Sequence, residues 1–108
     1  MKIVIKEPNK RAEVVEFEED GKVLELEELQ DLVGGYIEYT GDDGLDGIDM
    51  ILDEEGKLKG REFNFRTKYD FLVGTVVFAF SNDEGETIGL TDEQVETVKR
   101  YLRGSVEC

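Results

Sequence analysis

The stretch FLVGTVVFAF, residues 71–80, is the longest apolar run in the chain. It is far shorter than the ~20 residues needed to cross a bilayer. Its length and its β-branched valines and threonine suit a buried strand instead, apolar on both faces and therefore central in a sheet. The segments around it are read by what such a strand needs as neighbours.

Four more strands are expected from alternation and composition. KIVIK (2–6) alternates and is β-branched, and Pro8 and Asn9 turn the chain into AEVVEFE (12–18). There Val15 and Phe17 share one face, Glu16 and Glu18 the other. YIEYT (36–40) and GIDMILD (47–53) follow, the latter alternating Ile48, Met50 and Leu52 against Asp49, Ile51 and Asp53. EEGK reads as a hairpin loop with Gly56 at positive φ. In LKGREFNFRTKYD (58–70), the alternation of Phe63 and Phe65 suggests an edge strand.

Two helices complete the pattern. Leu24, Leu26, Leu29, Leu32 and Val33 form one apolar stripe, and Gly34 stands where a helix C-terminus takes a left-handed residue. LTDEQVETVKRYLRG (90–104) carries its own start and stop signals. Thr91 is the N-cap, Gln94 closes a capping box, and Leu90 with Val95 fits the hydrophobic staple. Asp92 and Glu93 sit at the positive end of the helix dipole, Lys99, Arg100 and Arg103 at the negative end, and Gly104 ends it. The expectation is a single α+β domain over residues 1–108: a mixed, mostly antiparallel sheet of five to six strands with two helices on one face.

Composition excludes more chemistry than it suggests. The chain has no histidine, which removes the commonest general base and the triads built on it. Its one cysteine, Cys108, allows neither an internal disulfide nor a thiolate metal site. The charges in MKIVIKEPNKR interrupt a very short apolar segment, so no signal peptide is expected, and a soluble, cytoplasmic protein is. No cofactor is expected, since no glycine-rich loop passes from a strand into a helix followed by Lys and Ser or Thr.

The net charge is −14, from 27 acids against 13 bases. Ala12 to Gly56 holds seventeen acids and one base, Lys22. Lys57 to Asp70 reverses this with five bases and two acids, and Ser81 to Glu96 has six acids and no base. Direct contact with nucleic acid or an anionic membrane is therefore not expected.

GDDGLDGID (41–49) invites a calcium reading. Counted from Asp42, the EF-hand template matches at Asp42, Asp46 and Gly47. It fails at Gly44, which has no ligand, at Asp49, where an apolar residue belongs, and at Asp53, shorter than the required Glu. Strands rather than helices flank it, so a solvated turn is the better reading and no metal site is assigned. Paired carboxylates of the glycosidase kind are uninformative when chance supplies so many.

The remaining reading makes the acids a working surface. Carboxylates on one face of a strand stand about 6.6 Å apart, and such rows can imitate a nucleic-acid backbone or steer the chain onto a basic partner. The candidates are Glu16, Glu18, Asp20, Glu25, Glu28, Asp42, Asp43, Asp46 and Asp49. The competing reading is that acidity only confers solubility.

Several strings also look familiar together: LEELQDLVGGYIE (26–38), DEEGKLKG (53–60), VGT (73–75) and LTDEQ (90–94). In order and spacing they resemble a family of small uncharacterised proteins from bacteriophages and other mobile elements, known only as a domain of unknown function. REFNFRTKYDF (61–71) departs from the shorter, proline-containing connection of that family. The family defines no catalytic residues, so the resemblance carries none over. It implies a non-enzymatic protein that binds a basic host protein such as a nuclease or other DNA-binding protein, in the anti-defence or anti-CRISPR manner, by mimicking DNA. The alternatives are an accessory or scaffolding module, monomer or homodimer, and a metal-binding regulator centred on Asp42 to Asp53.

Overall fold

The computed structural model describes residues 1–18 and 22–104. Asp20, the turn expected at 19–21 and Cys108 lie outside the described residues. In chain order the elements are β1 (Lys2–Lys6), β2 (Glu13–Glu16), α1 (Leu26–Val33), β3 (Ile37–Thr40), a 3-10 turn (Asp43–Leu45), β4 (Asp49–Asp53), β5 (Phe63–Arg66), β6 (Phe71–Val73), β7 (Val76–Ser81), β8 (Thr87–Ile88) and α2 (Asp92–Gly104).

β7 is the centre of a six-stranded sheet. The order is β2-β1-β7-β4-β3, with β8 pairing β7 beyond that path, and every pairing between these strands is antiparallel rather than mixed. Phe78 lies opposite Val4 on one side and Met50 on the other. The architecture is α+β, as the alternating segments require.

Both helices were expected on one face, and they lie on opposite faces. Leu29 and Val33 of α1 pack with Ile3, Ile51, Val77 and Ala79. Val95, Val98 and Leu102 of α2 pack with Val4, Met50, Val76 and Phe78. The reason is in the strands themselves: β1, β4 and β7 alternate apolar with apolar, so both sides of the sheet must be covered.

The run 71–80 is not one strand. Gly74 adopts φ +72, a conformation cheap only for glycine, and divides β6 from β7. β6 joins β5 in a separate two-stranded ribbon that lays Phe65 and Leu72 on the core beside α2. A register shift between Phe63 and Phe65 breaks the expected alternation, leaving Phe63 exposed and turning Asn64 inward. Asn64 then holds the ribbon to the sheet. Its Nδ2 donates to the carbonyls of Lys6 and Gly74 at 2.7 and 2.8 Å, and its Oδ1 accepts from the buried Lys6 Nζ at 3.1 Å.

EEGK does not form a hairpin between paired strands, because β4 and β5 belong to different sheets. The left-handed residue of this turn is Gly60, at φ +71, rather than Gly56. Gly56 is needed for closeness: an added methyl would lie 3.1 Å from Val73 Cγ2 and 3.2 Å from the Asp53 carbonyl.

The helix ends follow the sequence signals. Gly34 caps α1 at φ +81, its N–H donating to Gln30 O at 2.8 Å. In α2, Thr91 N–H donates to Gln94 Oε1 at 2.9 Å and Gln94 N–H to Thr91 Oγ1 at 3.1 Å. Among the described residues no helix is long and apolar enough to cross a membrane.

Candidate functional site

The folded chain gathers most of the candidate acids into two neighbourhoods and leaves Glu16 apart, beside Lys2 on the α2 face of the sheet. The first joins the end of β2 to the start of α1. Lys22 bridges them, with Nζ 3.4 Å from Glu28 Oε2 and 5.9 Å from the Phe17 ring centroid. Glu16 lies opposite Lys2 in the β1–β2 register, and Glu16, Glu18 and Glu25 are all exposed. Glu28 has a structural task. Its Oε1 accepts the Glu25 N–H at 3.1 Å, and that bond, with Lys22, holds its carboxyl below the usual range against a smaller opposing effect of desolvation.

The second neighbourhood lies in the connection from β3 to β4, packed against α2 on the other face of the sheet. Asp42 caps the 3-10 turn, accepting from Asp43 N–H at 2.8 Å, Lys68 N–H at 3.1 Å and the Tyr101 hydroxyl at 2.7 Å. Partial burial pushes the Asp42 carboxyl up, but these three bonds and Lys68 outweigh it and hold it below its ordinary value. Burial and the Asp42 charge push the Tyr101 phenol far up, so it remains a donor. Gly44 admits the ring, since a methyl there would stand 3.2 Å from Tyr101 Cδ1. Asp43 pairs with Lys68 at 3.1 Å, Asp49 accepts from Ser81 Oγ at 2.5 Å, and Asp46 is exposed in the left-handed region at φ 49.

The acidic tract is therefore not one continuous surface. β2 and β4 are three positions apart in the sheet, about 14 Å at ~4.8 Å per strand. Glu25 and Glu28 stand at the start of α1, whereas Glu16 lies on the opposite face of the sheet with Lys2 and Asp92. Asp42, Asp43, Asp46 and Asp49 gather in the β3–β4 connection, separate from both. Among the described residues no three acidic or thiol side chains converge as a metal site would require.

A third constellation escaped the alternation argument. Asp53, the last residue of β4, is buried, with Oδ2 2.8 Å from both Lys59 Nζ and Arg61 Nε, and Oδ1 2.9 Å from the Glu55 N–H. Burial pushes this carboxyl up. The bonds from Lys59, Glu55 and Arg61 more than compensate and leave it below its ordinary value. Arg61 in turn donates to the Gly34 carbonyl at 2.9 Å.

Glycines make room for this cluster. A methyl on Gly35 would stand 2.6 Å from Lys59 Nζ and 2.8 Å from Asp53 Oδ2, and one on Gly74 would stand 2.8 Å from Arg61 Cδ. The VGG, DEEGKLKG and VGT strings thus meet in space around a single arginine–aspartate pair. Their separation in sequence hid this, and the only local hint was an acid followed by two bases at Lys59 and Arg61.

No curated protein and no solved structure matches the chain significantly. The family model described as Domain of unknown function (DUF3846) matches residues 1–103, and the chain belongs to that family.

Proposed function

We propose that this chain is a small non-enzymatic protein, of phage or mobile-element kind, that binds a basic nucleic-acid-handling host protein in the cytoplasm and occupies its anion-binding groove. The observation that carries the reading is the state of Lys22. It is the only base between Ala12 and Gly56, and it is committed to Glu28 at 3.4 Å. Glu18, Glu27 and Asp31 are exposed and have no ion-pair partner among the described residues, and the exposed Glu16 has only its cross-strand neighbour Lys2, which Asp92 already holds. Ordinary solvated faces mix their signs; an uncompensated one attracts a basic partner and speeds encounter with it. The Asp42 group contributes less, because Asp42, Asp43 and Asp49 already have partners within the chain.

The test is capture of a partner from host lysate by the immobilised chain at about 0.05 M salt, with release at about 0.5 M. The captured protein should lose its hold on duplex DNA as the chain is added. Replacing Glu16, Glu18 and Asp31 by lysine should weaken capture by roughly tenfold or more while leaving the circular dichroism spectrum unchanged. Undiminished capture and competition by that variant would show that the acidic face is not the contact.

A further inference from the structure

Segment 62–73, the ribbon of β5 and β6 with its loop, is held to the rest of the molecule by side chains rather than by a backbone ladder. Its ladder is internal, because β5 and β6 pair only with each other. Among the described residues one backbone-to-backbone hydrogen bond leaves it, from Gly74 N–H to Glu62 O at 2.8 Å. That bond joins the two ends of the segment, so the chain enters and leaves it at one point. Arg61 pins this point to the body of the fold. It donates to Asp53 Oδ2 at 2.8 Å and to the Gly34 carbonyl at 2.9 Å, and Gly74 packs closely on its side chain. Gly74, at φ +72, supplies a joint cheap only for glycine.

Among the described residues every other polar tie to the segment involves a side chain. Asn64 is knotted to Lys6 of the sheet, and Glu62 accepts from Asn9. Lys57 Nζ stands 2.8 Å from Asp70 Oδ1 and 4.2 Å from the Phe71 ring centroid. In the loop, Lys68 N–H donates to Asp42 Oδ2 at 3.1 Å, and Lys68 Nζ lies 3.1 Å from Asp43 Oδ2. Only the Asn64 knot is buried; the others are exposed, where charged pairs are weak.

Apolar packing holds the segment as well, but in a minor share. Of the twenty-one buried apolar side chains among the described residues it supplies three, Phe65, Leu72 and Val73. Without them β1, β4 and β7 still carry α1 on one face and α2 on the other. A detached ribbon does not keep its own ladder, since an isolated two-stranded hairpin is marginal in water.

We propose that residues 62–73 form a strap that opens as one unit, hinged at Arg61 and Gly74, while the sheet and both helices stay folded. Opening withdraws Lys68 from Asp42 and Asp43, so the strap sets how far the acidic turn is compensated from within the chain. This goes beyond partner binding, and its test needs no partner.

Hydrogen exchange of the full chain, followed amide by amide and corrected for intrinsic rates, provides that test. Amides bonded within the strap, such as Thr67 to the Asp70 carbonyl, should share one opening. They should exchange about tenfold or more faster than the bonded amides of β1, β4 and β7. Two variants separate strap from body. Thr91→Ala weakens the cap of α2, a helix that stays formed when the strap opens. Exchange in β1, β4 and β7 should then rise about fivefold, and exchange in the strap should not change. Asn64→Ala removes a tie that is lost in both openings, so strap and body exchange should rise together, by about tenfold. Strap amides that exchange no faster than the body, or that quicken with Thr91→Ala as much as the body does, would each overturn the proposal, as would a strap unmoved by Asn64→Ala.

Discussion

Asp53 is the residue on which Gly35, Glu55, Lys59 and Arg61 converge, and its environment makes a prediction about acid. Folding lowers this carboxyl below its ordinary value of 3.8, so the ionised form is bound more tightly in the native state. Its stabilisation is complete above that value and drains away as pH falls through the lower folded value. Asp53→Asn keeps the shape but removes the charge facing Lys59 and Arg61. Because both bases remain partly exposed, the expected loss at pH 7 is about 2–3 kcal/mol, somewhat below that for a fully buried pair. Urea denaturation at pH 7 and at pH 3 measures it: the gap between wild type and variant should be smaller at pH 3. A gap that does not change with pH would mean that the carboxylate charge is not what holds Arg61. Nothing in the one-dimensional pattern announced this cluster, because alternation put Asp53 on the same side as Asp49 and Ile51, as one more strand acid.

Among the elements, both helices combine end signals with a buried face, and the capping box of α2 is the one a single substitution tests most directly. Thr91→Ala removes the acceptor of the Gln94 N–H, and the loss should be about 1 kcal/mol, or roughly 4–8 °C in thermal midpoint for a domain of this size. Calorimetry on that variant checks it, and a shift below a degree would mean that the box is not sustaining the helix. α2 was legible because every part of its signal lies within fifteen consecutive positions. The ribbon of β5 and β6 was not, because two local events hide it. Gly74 inside an apolar run looks like a strand residue until its positive φ is known, and the bulge at Asn64 reverses the face of everything before it. The placement of the helices was within reach, since a central strand apolar on both faces already demands a cover on each side.

At the scale of the whole molecule the charge is both abundant and segregated, and its effect on stability depends on how far charges reach one another. The longest dimension is 34 Å. At about 0.15 M salt the screening length is near 8 Å, so the acidic α1 face and the Asp42 turn act separately; at about 0.01 M it is near 30 Å and nearly all the acids repel at once. Two effects compete as salt is removed. Exposed ion pairs such as Lys10–Glu7 and Lys99–Glu96 strengthen, but each contributes only ~0–1 kcal/mol. Self-repulsion grows with the square of the net charge of −14 and favours the expanded state. Repulsion should win, so the thermal midpoint should fall when sodium chloride is lowered from about 0.15 M to about 0.01 M and rise again when it is restored. Changing Glu16, Glu18 and Asp31 to lysine moves the net charge from −14 to about −8, two charges at each position, and should make the midpoint higher at low salt and less dependent on salt. Differential scanning fluorimetry of both chains in parallel salt series decides the matter. If the wild type is equally stable or more stable at low salt, pairing within the two charge neighbourhoods outweighs repulsion between them, and the acidic face is better compensated than its lone Lys22 suggests.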